Sequence, residues 1–316
     1  MNNDILVSII CNTYNHESYI RDALESFVMQ KTDFAYEVLV HDDASTDGTA
    51  DIVREYEKKY PDLIKPIYQT ENQYSKGVTV SDINRKRAKG KYMAVCEGDD
   101  YWTDPYKLQK QYDAMERHPE VDMCAHAVQR VQADSKRFIT MIAPADGERL
   151  LTLEEIILER EIRLETNSLF YRSAILENSY EFRKVLKMDY TLKVLGALRG
   201  GIWYLPECMS AYRVSAKGSW TLQMRKNTSK WLELFKRKKN MLTTLDWETD
   251  YKYSETINQE IHRLEWFQLE VLHDYKEMLS PQYADMFAEY PRMHKVKIWI
   301  RAYMPWIIKI KERFKA

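Results

Sequence analysis

Three short segments of this 316-residue sequence carry acidic and polar side chains directly after apolar runs. These segments are residues 13–15, 42–48 and 97–100. Neighbouring carboxylates repel one another unless a cation or a donor-rich ligand neutralises them. Oxygen ligands favour magnesium or manganese over zinc. The third segment therefore predicts a divalent-metal site at Glu97, Asp99 and Asp100. The alternative is an acidic turn that only precedes the helix near Pro105.

The second segment adds two carboxylates at a neighbouring strand end. Asp42 or Asp43 could accept the imide N–H of uracil or a ribose hydroxyl. In the alternative interpretation, Asp43 and Ser45 form turns of the backbone, and Asp47 caps the next helix. We expect Asp47 to act as a cap in either case.

Apolar strands that alternate with helices must position these segments. We predict strands over residues 5–11, 36–40, 64–68 and 92–96, with helices near residues 49–60 and 80–88 between them. This alternation predicts an α/β fold with a mostly parallel sheet and helices on both faces. Ligands bind beyond the carboxyl ends of such strands, so the three segments should meet at one edge.

The remainder of the chain divides into a mixed region and a helical region. A helix to about residue 117 should precede strands near 121–131 and 138–142, and apolar residues repeat at helical spacing from Thr228 onward. We therefore predict a catalytic domain at residues 1–225 and a C-terminal helical region at 226–316.

Composition narrows the class of protein. Apolar residues make up 45% and charged residues 30%, which is typical of a folded protein, and the net charge of −1 argues against nucleic acid as a partner. The four cysteines show no C-x-x-C spacing, so we expect buried thiols in a reducing compartment. We expect neither a signal peptide nor a spanning helix, and a cytoplasmic location.

The three segments together resemble the ordered signatures of glycosyltransferase family 2, over about residues 5–215. They read VSIICNTYN at 7–15, DDASTDGT at 42–49 and EGDDYW at 97–102. The resemblance implies a GT-A fold, which is Rossmann-like, and an inverting glycosyltransferase that uses a UDP-sugar donor with Mn2+ or Mg2+. It also implies a hydroxyl acceptor on a glycan or a lipid-linked sugar, and a role in bacterial surface polysaccharide synthesis.

Several donor-site roles follow from the same resemblance. Thr13 and Asp43 resemble the base-recognition residues, Tyr14 and Asn15 belong to the same signature, and Asp42 would support the base or the ribose. Residues 97–99 occupy the D-x-D position, with Glu97 in place of the first aspartate. Asp99 is therefore the preferred metal ligand, and Asp100 could share the role.

Downstream residues resemble the family's base and phosphate segments. Asp189 precedes a helical run and resembles the catalytic base, although the dipole of that helix would also favour a carboxylate there. Tyr212-Arg213-Val214 resembles a Y-R-x-H segment in which Ser215 replaces the histidine. Phosphate contacts are then expected from Arg213, Lys217 or Lys76.

Candidate acceptor contacts follow the metal segment. Trp102 could stack on an acceptor sugar or pack in the core, while Asn167 and Ser168 enter a strand that could line the acceptor cleft.

The basic tail has an interpretation of its own. Residues 292–315 contain eight lysines or arginines and one glutamate, together with Trp299, Tyr303 and Trp306. This composition suits an anionic membrane interface, and the alternative is a helix packed on the core. We therefore expect a peripheral position on the inner face of the cell membrane through residues 292–316.

Two other functions compete with transfer. A non-catalytic nucleotide-sugar-binding or scaffold protein could share the fold, although it would have no need of both Asp99 and Asp189. A nucleotidyltransferase would need a glycine-rich loop after the first strand, and residues 11–17 contain no glycine. The sequence is compatible with an oligomer.

Overall fold

The computed structural model describes residues 4–160, 162–217, 224 and 227–306. The chain divides into two compact units. The first comprises Met1–Arg183 and Lys187–Gln223, and the second comprises Lys184–Leu186 and Met224–Ala316.

The first unit is built on a sheet of ten strands, counted over the described residues. In chain order they are β1 (Ile5–Thr13), β2 (Ala35–Asp42), β3 (Ile64–Tyr68), β4 (Tyr92–Val95), β5 (Tyr101–Trp102), β6 (Met123–Gln132), β7 (Phe138–Ile142), β8 (Arg149–Leu151), β9 (Phe170–Arg172) and β10 (Ile202–Val214). Their order across the sheet is β3-β2-β1-β4-β9-β6-β10-β5, with β7 on β6 and β8 on β10.

Strand direction changes across the sheet. Strands β3, β2, β1 and β4 are parallel neighbours, and β6 runs parallel to β10. Strand β9 lies between these two groups and is antiparallel to both β4 and β6. The edge strands β5, β7 and β8 are also antiparallel to their partners. The predicted α/β class is confirmed, and its parallel part is formed by these two groups.

Helices follow the strands at the predicted places. Those of the first unit are α1 (Ile20–Val28), α2 (Thr49–Lys59), α3 (Val80–Arg87), α4 (Lys107–Arg117), α5 (Leu153–Leu158) and α7 (Asp189–Ala197), while α6 (Phe182–Val185) includes the point where the chain enters the second unit. Helix α1 buries Ile20, Ala23, Leu24 and Phe27, which are spaced so that they share one face.

The central strand places the chemistry at one edge. The apolar residues of β1 from Val7 to Cys11 are buried on both sides, as expected for a strand covered on each face. Its register sets Thr13 opposite Asp42 on β2, and Ile10 opposite Val95 on β4. The segments that follow β1, β2 and β4 therefore begin side by side.

The second unit is helical over its described residues. Its helices are α8 (Thr228–Glu248), α9 (Ser254–Val271), α10 (Ala284–Glu289) and α11 (Arg292–Tyr303). An aromatic core fills it, made of Trp266, Tyr275, Met278, Tyr283, Met286, Ile298 and Ala302. Helices α8 and α9 also share a buried ionic cluster, in which the fully buried Glu260 pairs with Lys238 at 3.0 Å and Arg263 at 2.6 Å.

The sequence predicts no membrane-spanning helix and a basic tail at residues 292–316. Within the part of the chain that the structure describes, no helix combines the length and the apolar character needed to cross a membrane. The predicted basic tail is described as far as Trp306, and its last ten residues lie outside the described part.

Candidate active site

Hydrogen bonds join the three predicted segments at the carboxyl edge of the sheet. The Asn15 side-chain oxygen accepts from the backbone N–H of Thr46 at 2.8 Å, and the Asn15 N–H donates to Ser45 Oγ at 2.9 Å. Asn15 has a φ of 55°, a left-handed conformation that asparagine tolerates better than most residues. The side chain predicted to bind donor thus ties the first segment to the second.

Gly98 allows the third segment to approach the first. A Cβ at this position would lie 2.6 Å from Thr13 Oγ1 and 3.0 Å from His16 Nδ1, too close for any other residue without a shift. The Gly98 N–H donates to the carbonyl of Asn12 at 2.9 Å. Thr13 is consequently buried beneath Gly98, and its hydroxyl has no hydrogen-bond partner among the described residues.

Three carboxylates form the electrostatic centre of this edge: Glu97, Asp99 and Asp189. The side chain of Glu97 is exposed, but neighbouring protein atoms displace part of the water around it. This desolvation, together with the charges of Asp99 and Asp189, raises the pKa of Glu97 above its ordinary value. No ion pair with a lysine or arginine neutralises the three carboxylates within the described residues. The nearest cationic candidate is His16, whose Nε2 lies 4.0 Å from Asp99 Oδ2.

Asp100 points away from this centre. It is buried, its Oδ1 accepts from the backbone N–H of Arg213 at 2.8 Å, and its Oδ2 accepts from Asn167 Nδ2 at 3.0 Å. Burial, and then the charge of Asp99, raises the pKa of Asp100 well above its ordinary value. Both oxygens of Asp100 therefore join residues 97–100 to β10 and to residues 166–168, and the expectation that Asp100 shares a metal stays a prediction.

The position of Asp189 is compatible with both interpretations given for it, and its role as the base stays a prediction. It is the first residue of α7, where the helix dipole favours a carboxylate. Its Oδ1 accepts from the backbone N–H of Tyr190 at 2.8 Å, and its Oδ2 accepts from Thr166 Oγ1 at 3.1 Å. These bonds fix a half-buried carboxylate close enough to Glu97 for its charge to act there.

Arg213 braces residues 97–100 against α1. Its side chain is buried, and its guanidinium donates to the carbonyl of Asp99 at 2.8 Å and to that of Ala133 at 3.1 Å. It also pairs with Asp22 of α1, which is partly exposed. All of these partners are protein groups, and the expected phosphate contact of Arg213 stays a prediction.

The three predicted acceptor residues are also interior. Trp102 packs edge-on against Phe27 at 4.9 Å between ring centroids, and its Nε1 donates to the carbonyl of Asn167 at 3.1 Å. Trp102, Asn167 and Ser168 are each at most 1% exposed. Since a stacking face must be open, this burial favours the core-packing alternative for Trp102, and the acceptor role of the three residues stays a prediction.

A buried lysine lies against the same tryptophan. Lys107 Nζ is 4.0 Å from a ring centroid of Trp102 and donates to Gln111 Oε1 at 2.6 Å. Burial lowers the pKa of Lys107 to about 7.

Asp43 and Asp42 both bind backbone. The carboxylate of Asp43 accepts from the N–H groups of Gln73 at 2.7 Å and Tyr74 at 3.0 Å, and so anchors the 3-10 turn Tyr74–Lys76. Asp42 accepts from the Ser45 N–H at 3.2 Å.

Three residues of the predicted donor side are exposed: Tyr14, Lys76 and Lys217. Tyr14 is 38% exposed, whereas Lys76 is half-exposed and pairs with Glu71. Lys217, another predicted phosphate contact, donates its backbone N–H to Tyr19 Oη at 3.4 Å.

Sequence patterns did not single out two residues of this site. His16 approaches Asp99, and its buried Nδ1 has no hydrogen-bond partner in the part of the chain that the structure describes. Asp22 holds the guanidinium of Arg213, yet in sequence it is one more polar residue of an amphipathic helix. A histidine one residue beyond the first signature was the available signal for His16.

Thiols and clusters of possible metal ligands are the other reactive groups of the chain. All four cysteines are free thiols, and Cys11, Cys96 and Cys124 are buried. Over the ranges that the structure covers, no three histidine, cysteine, aspartate or glutamate side chains converge into a ready-made metal cage.

The chain resembles known proteins both in sequence and in fold. Residues 8–216 match the model of glycosyl transferase family 2. An uncharacterised protein of Mycobacterium tuberculosis is 40% identical over 216 residues, which is 68% of this chain and 60% of that protein. The chain thus matches about 60% of the length of this relative. TuaG of Bacillus subtilis, named for glycosyl transfer in teichuronic acid biosynthesis, is 38% identical over 35% of this chain and 42% of its own.

Two solved structures share the fold. S. aureus TarS 1-349 in complex with UDP-GlcNAc has a TM-score of 0.60 at 20% identity, over 94% of this chain and 79% of TarS. The mannosyltransferase PcManGT from Pyrobaculum calidifontis, in complex with GDP-Man and Mn2+, has a TM-score of 0.56 at 17% identity, over 96% and 85% of the two chains. The fold is therefore that of GT-A glycosyltransferases, and by its match over residues 8–216 the chain belongs to glycosyl transferase family 2.

Proposed function

We propose that this protein is an inverting glycosyltransferase that moves a sugar from a UDP-sugar to a hydroxyl of a bacterial surface glycan or its lipid-linked precursor. The observation that carries the proposal is the grouping of Glu97, Asp99 and Asp189 at the carboxyl edge of the sheet, where the charges of two act on the third. Such a group is costly unless a cationic or donor-rich ligand binds there.

UDP as the nucleotide is supported by the exposed donor-side residues. Tyr14 offers an exposed aromatic face, and the turn that Asp43 anchors carries the exposed Lys76. TarS, which has the same fold, binds UDP-GlcNAc. In this proposal Asp43 acts on the nucleotide through the turn that it fixes.

A divalent metal fits the acidic centre. Glu97 and Asp99 supply hard oxygen ligands that lack a lysine or arginine partner among the described residues, and PcManGT binds Mn2+ with its donor. These two side chains would hold the ion, and the donor diphosphate would complete its ligands. When bound, the ion stabilises the negative charge of the departing diphosphate.

Asp189 is the proposed general base. The acceptor hydroxyl oxygen attacks the anomeric carbon, the bond from that carbon to the diphosphate oxygen breaks, and the electron pair leaves with UDP. The proton of the hydroxyl passes to a carboxylate oxygen of Asp189. The bonds from Thr166 and the Tyr190 N–H hold that carboxylate in one orientation.

The acceptor class and location rest on relatives and composition. TuaG is named for teichuronic acid biosynthesis, which supports a surface glycan acceptor. If this acceptor is carried on a lipid, the enzyme would act at the inner face of the cell membrane. A non-catalytic nucleotide-sugar-binding protein of the same fold is the competing function.

A donor screen tests the proposal. UDP release would be measured for a panel of UDP-sugars with Mn2+ and without acceptor, so that water takes the place of the hydroxyl. We expect slow release from one donor and its loss when the metal is chelated. Tight UDP binding with no release from any donor, even with added bacterial glycan fractions, would favour the non-catalytic protein.

A further inference from the structure

One helix of the second unit presents apolar side chains on two different faces. On one face of α11, Ile298 and Ala302 are buried in the aromatic core of that unit. On another face, Met293, Val296 and Trp299 are exposed, with Met293 at 72% and Trp299 at 45%. The first face already explains how the helix is held, so the second needs a different partner.

The exposed face is a continuous stripe. Its members Met293, Val296, Trp299 and Tyr303 are three or four residues apart, which places them within an arc of about 120° on the helix surface. The rings of Trp299 and Tyr303 contact each other, with centroids 5.5 Å apart. Trp306 adds a further exposed aromatic ring just beyond the helix. Scattered exposed apolar residues are ordinary, but a stripe of this kind marks a contact surface.

Cations flank the stripe. Lys297 and Arg301 follow one side of it, Lys295 lies toward the other, Arg292 stands at the start of the helix, and residues 292–306 include no acidic residue. Arg301 also donates to Tyr275 Oη at 3.1 Å, and Lys295 to the carbonyl of Ala288 at 2.6 Å, so these two basic side chains stay close to the helix surface. The partner must therefore combine an apolar interior with negative charge at its surface.

We infer that the stripe of α11 (Met293, Val296, Trp299 and Tyr303) docks on an anionic lipid bilayer. Tryptophan and tyrosine favour the interface between headgroups and acyl chains, where the ring is buried and its polar atom stays hydrated. The flanking cations match acidic headgroups such as phosphatidylglycerol. The helix lies flat in this arrangement, because its opposite face is held by Ile298 and Ala302.

This inference rests on the proposed membrane position and names the residues that contact the bilayer. It can be wrong even if the protein transfers sugars as proposed. The test uses the full chain in co-sedimentation with vesicles of phosphatidylcholine alone, and with vesicles containing about one-third phosphatidylglycerol. The variants are Trp299→Ser and Lys297→Gln. Trp247→Ser and Lys230→Gln are matched controls, since both residues are exposed on α8.

We expect binding only to the anionic vesicles, weakened by about 0.5 M salt. Trp299→Ser should lower the partition coefficient about tenfold and Lys297→Gln about fivefold, while both controls bind as the wild type does. Thermal melting checks that each variant is folded, and donor hydrolysis in solution should be unchanged in all four variants.

Three outcomes overturn the inference. The first is equal vesicle binding by Trp299→Ser and the wild type, and the second is no binding to any vesicle. The third is a concentration-dependent dimer that Trp299→Ser abolishes without any vesicle binding, because the stripe would then be a contact between two copies of the chain.

Discussion

The guanidinium of Arg213 donates a hydrogen bond of 2.8 Å to the backbone carbonyl of Asp99, 114 residues away in the chain. This bond makes the position of the metal segment depend on a buried side chain of β10. The same guanidinium reaches α1 through Asp22, so one residue connects three elements of the first unit. It is a positioning residue for the acidic centre.

Replacement of Arg213 by methionine should destabilise the protein by about 2–4 kcal/mol, because carbonyl groups and Asp22 lose a buried donor. Urea unfolding measures the change. Arg199→Met is the matched control, since the Arg199 pair with Asp122 is half-exposed and should be worth at most about 1 kcal/mol. Equal losses of unfolding free energy in the two variants would show that Arg213 stabilises the protein no more than a half-exposed arginine does.

Replacement of the neighbours Asp99 and Asp100 should affect different properties of the protein. Asp99→Asn is expected to lower turnover at least about a hundredfold and to weaken the Mn2+ dependence of UDP binding, with little change in melting temperature. Asp100→Asn should instead cost about 1–3 kcal/mol of stability, because its new amide would face Asn167 Nδ2, another donor. Calorimetry and thermal melting on both variants separate the roles. The assignment is wrong if Asp100→Asn is the variant that loses the metal dependence.

The contrast between these neighbours shows where sequence analysis reaches its limit. Asp99 and Asp100 are neighbours in a turn closed by a hydrogen bond of 3.0 Å from the Asp100 N–H to the carbonyl of Glu97, and the sequence does not say which of the two side chains faces the cleft. The bonds from Asn167 and Arg213 that decide the matter span 67 and 113 residues. Strands β3 and β7, in contrast, have the predicted bounds, because a local apolar run suffices to specify them. The three-residue strand β9 is too short for any periodicity to indicate it.

Asp43→Ala should weaken UDP binding about tenfold and leave turnover at saturating donor nearly unchanged. The reason is that the turn anchored by Asp43 is needed equally in the ground state and the transition state. Titration calorimetry with UDP measures the affinity. Asp51→Asn, which alters an exposed pair with Arg54 on the following helix, should leave UDP affinity unaltered. Unaltered affinity in Asp43→Ala as well would remove Asp43 from the donor site.

Lys107 should make stability rise with pH. Burial lowers its pKa in the folded protein to about 7, whereas the unfolded chain has the ordinary value of 10.5. Between these values the unfolded state binds more protons, so the free energy of unfolding rises with pH by up to about 1.4 kcal/mol per pH unit. Below about pH 7 both states carry the proton and the penalty of burying the charge is complete.

Lys107→Met removes this dependence. The variant should be the more stable protein near pH 7, and its advantage should shrink as the pH approaches about 10. Urea unfolding at a series of pH values gives both curves. A constant difference between the two proteins across that range would mean that Lys107 stays charged when the protein is folded.

Asp189→Asn separates a base that removes the acceptor proton from a residue that only begins a helix. The affinity for UDP and the rate of UDP release from the donor identified by the screen would be measured for the wild type and for Asp189→Asn. We expect unchanged affinity and a release rate lower by about two to four powers of ten, because asparagine keeps the shape and the helix-terminal position but cannot take the proton. A release rate near that of the wild type would contradict the role of Asp189 as the base.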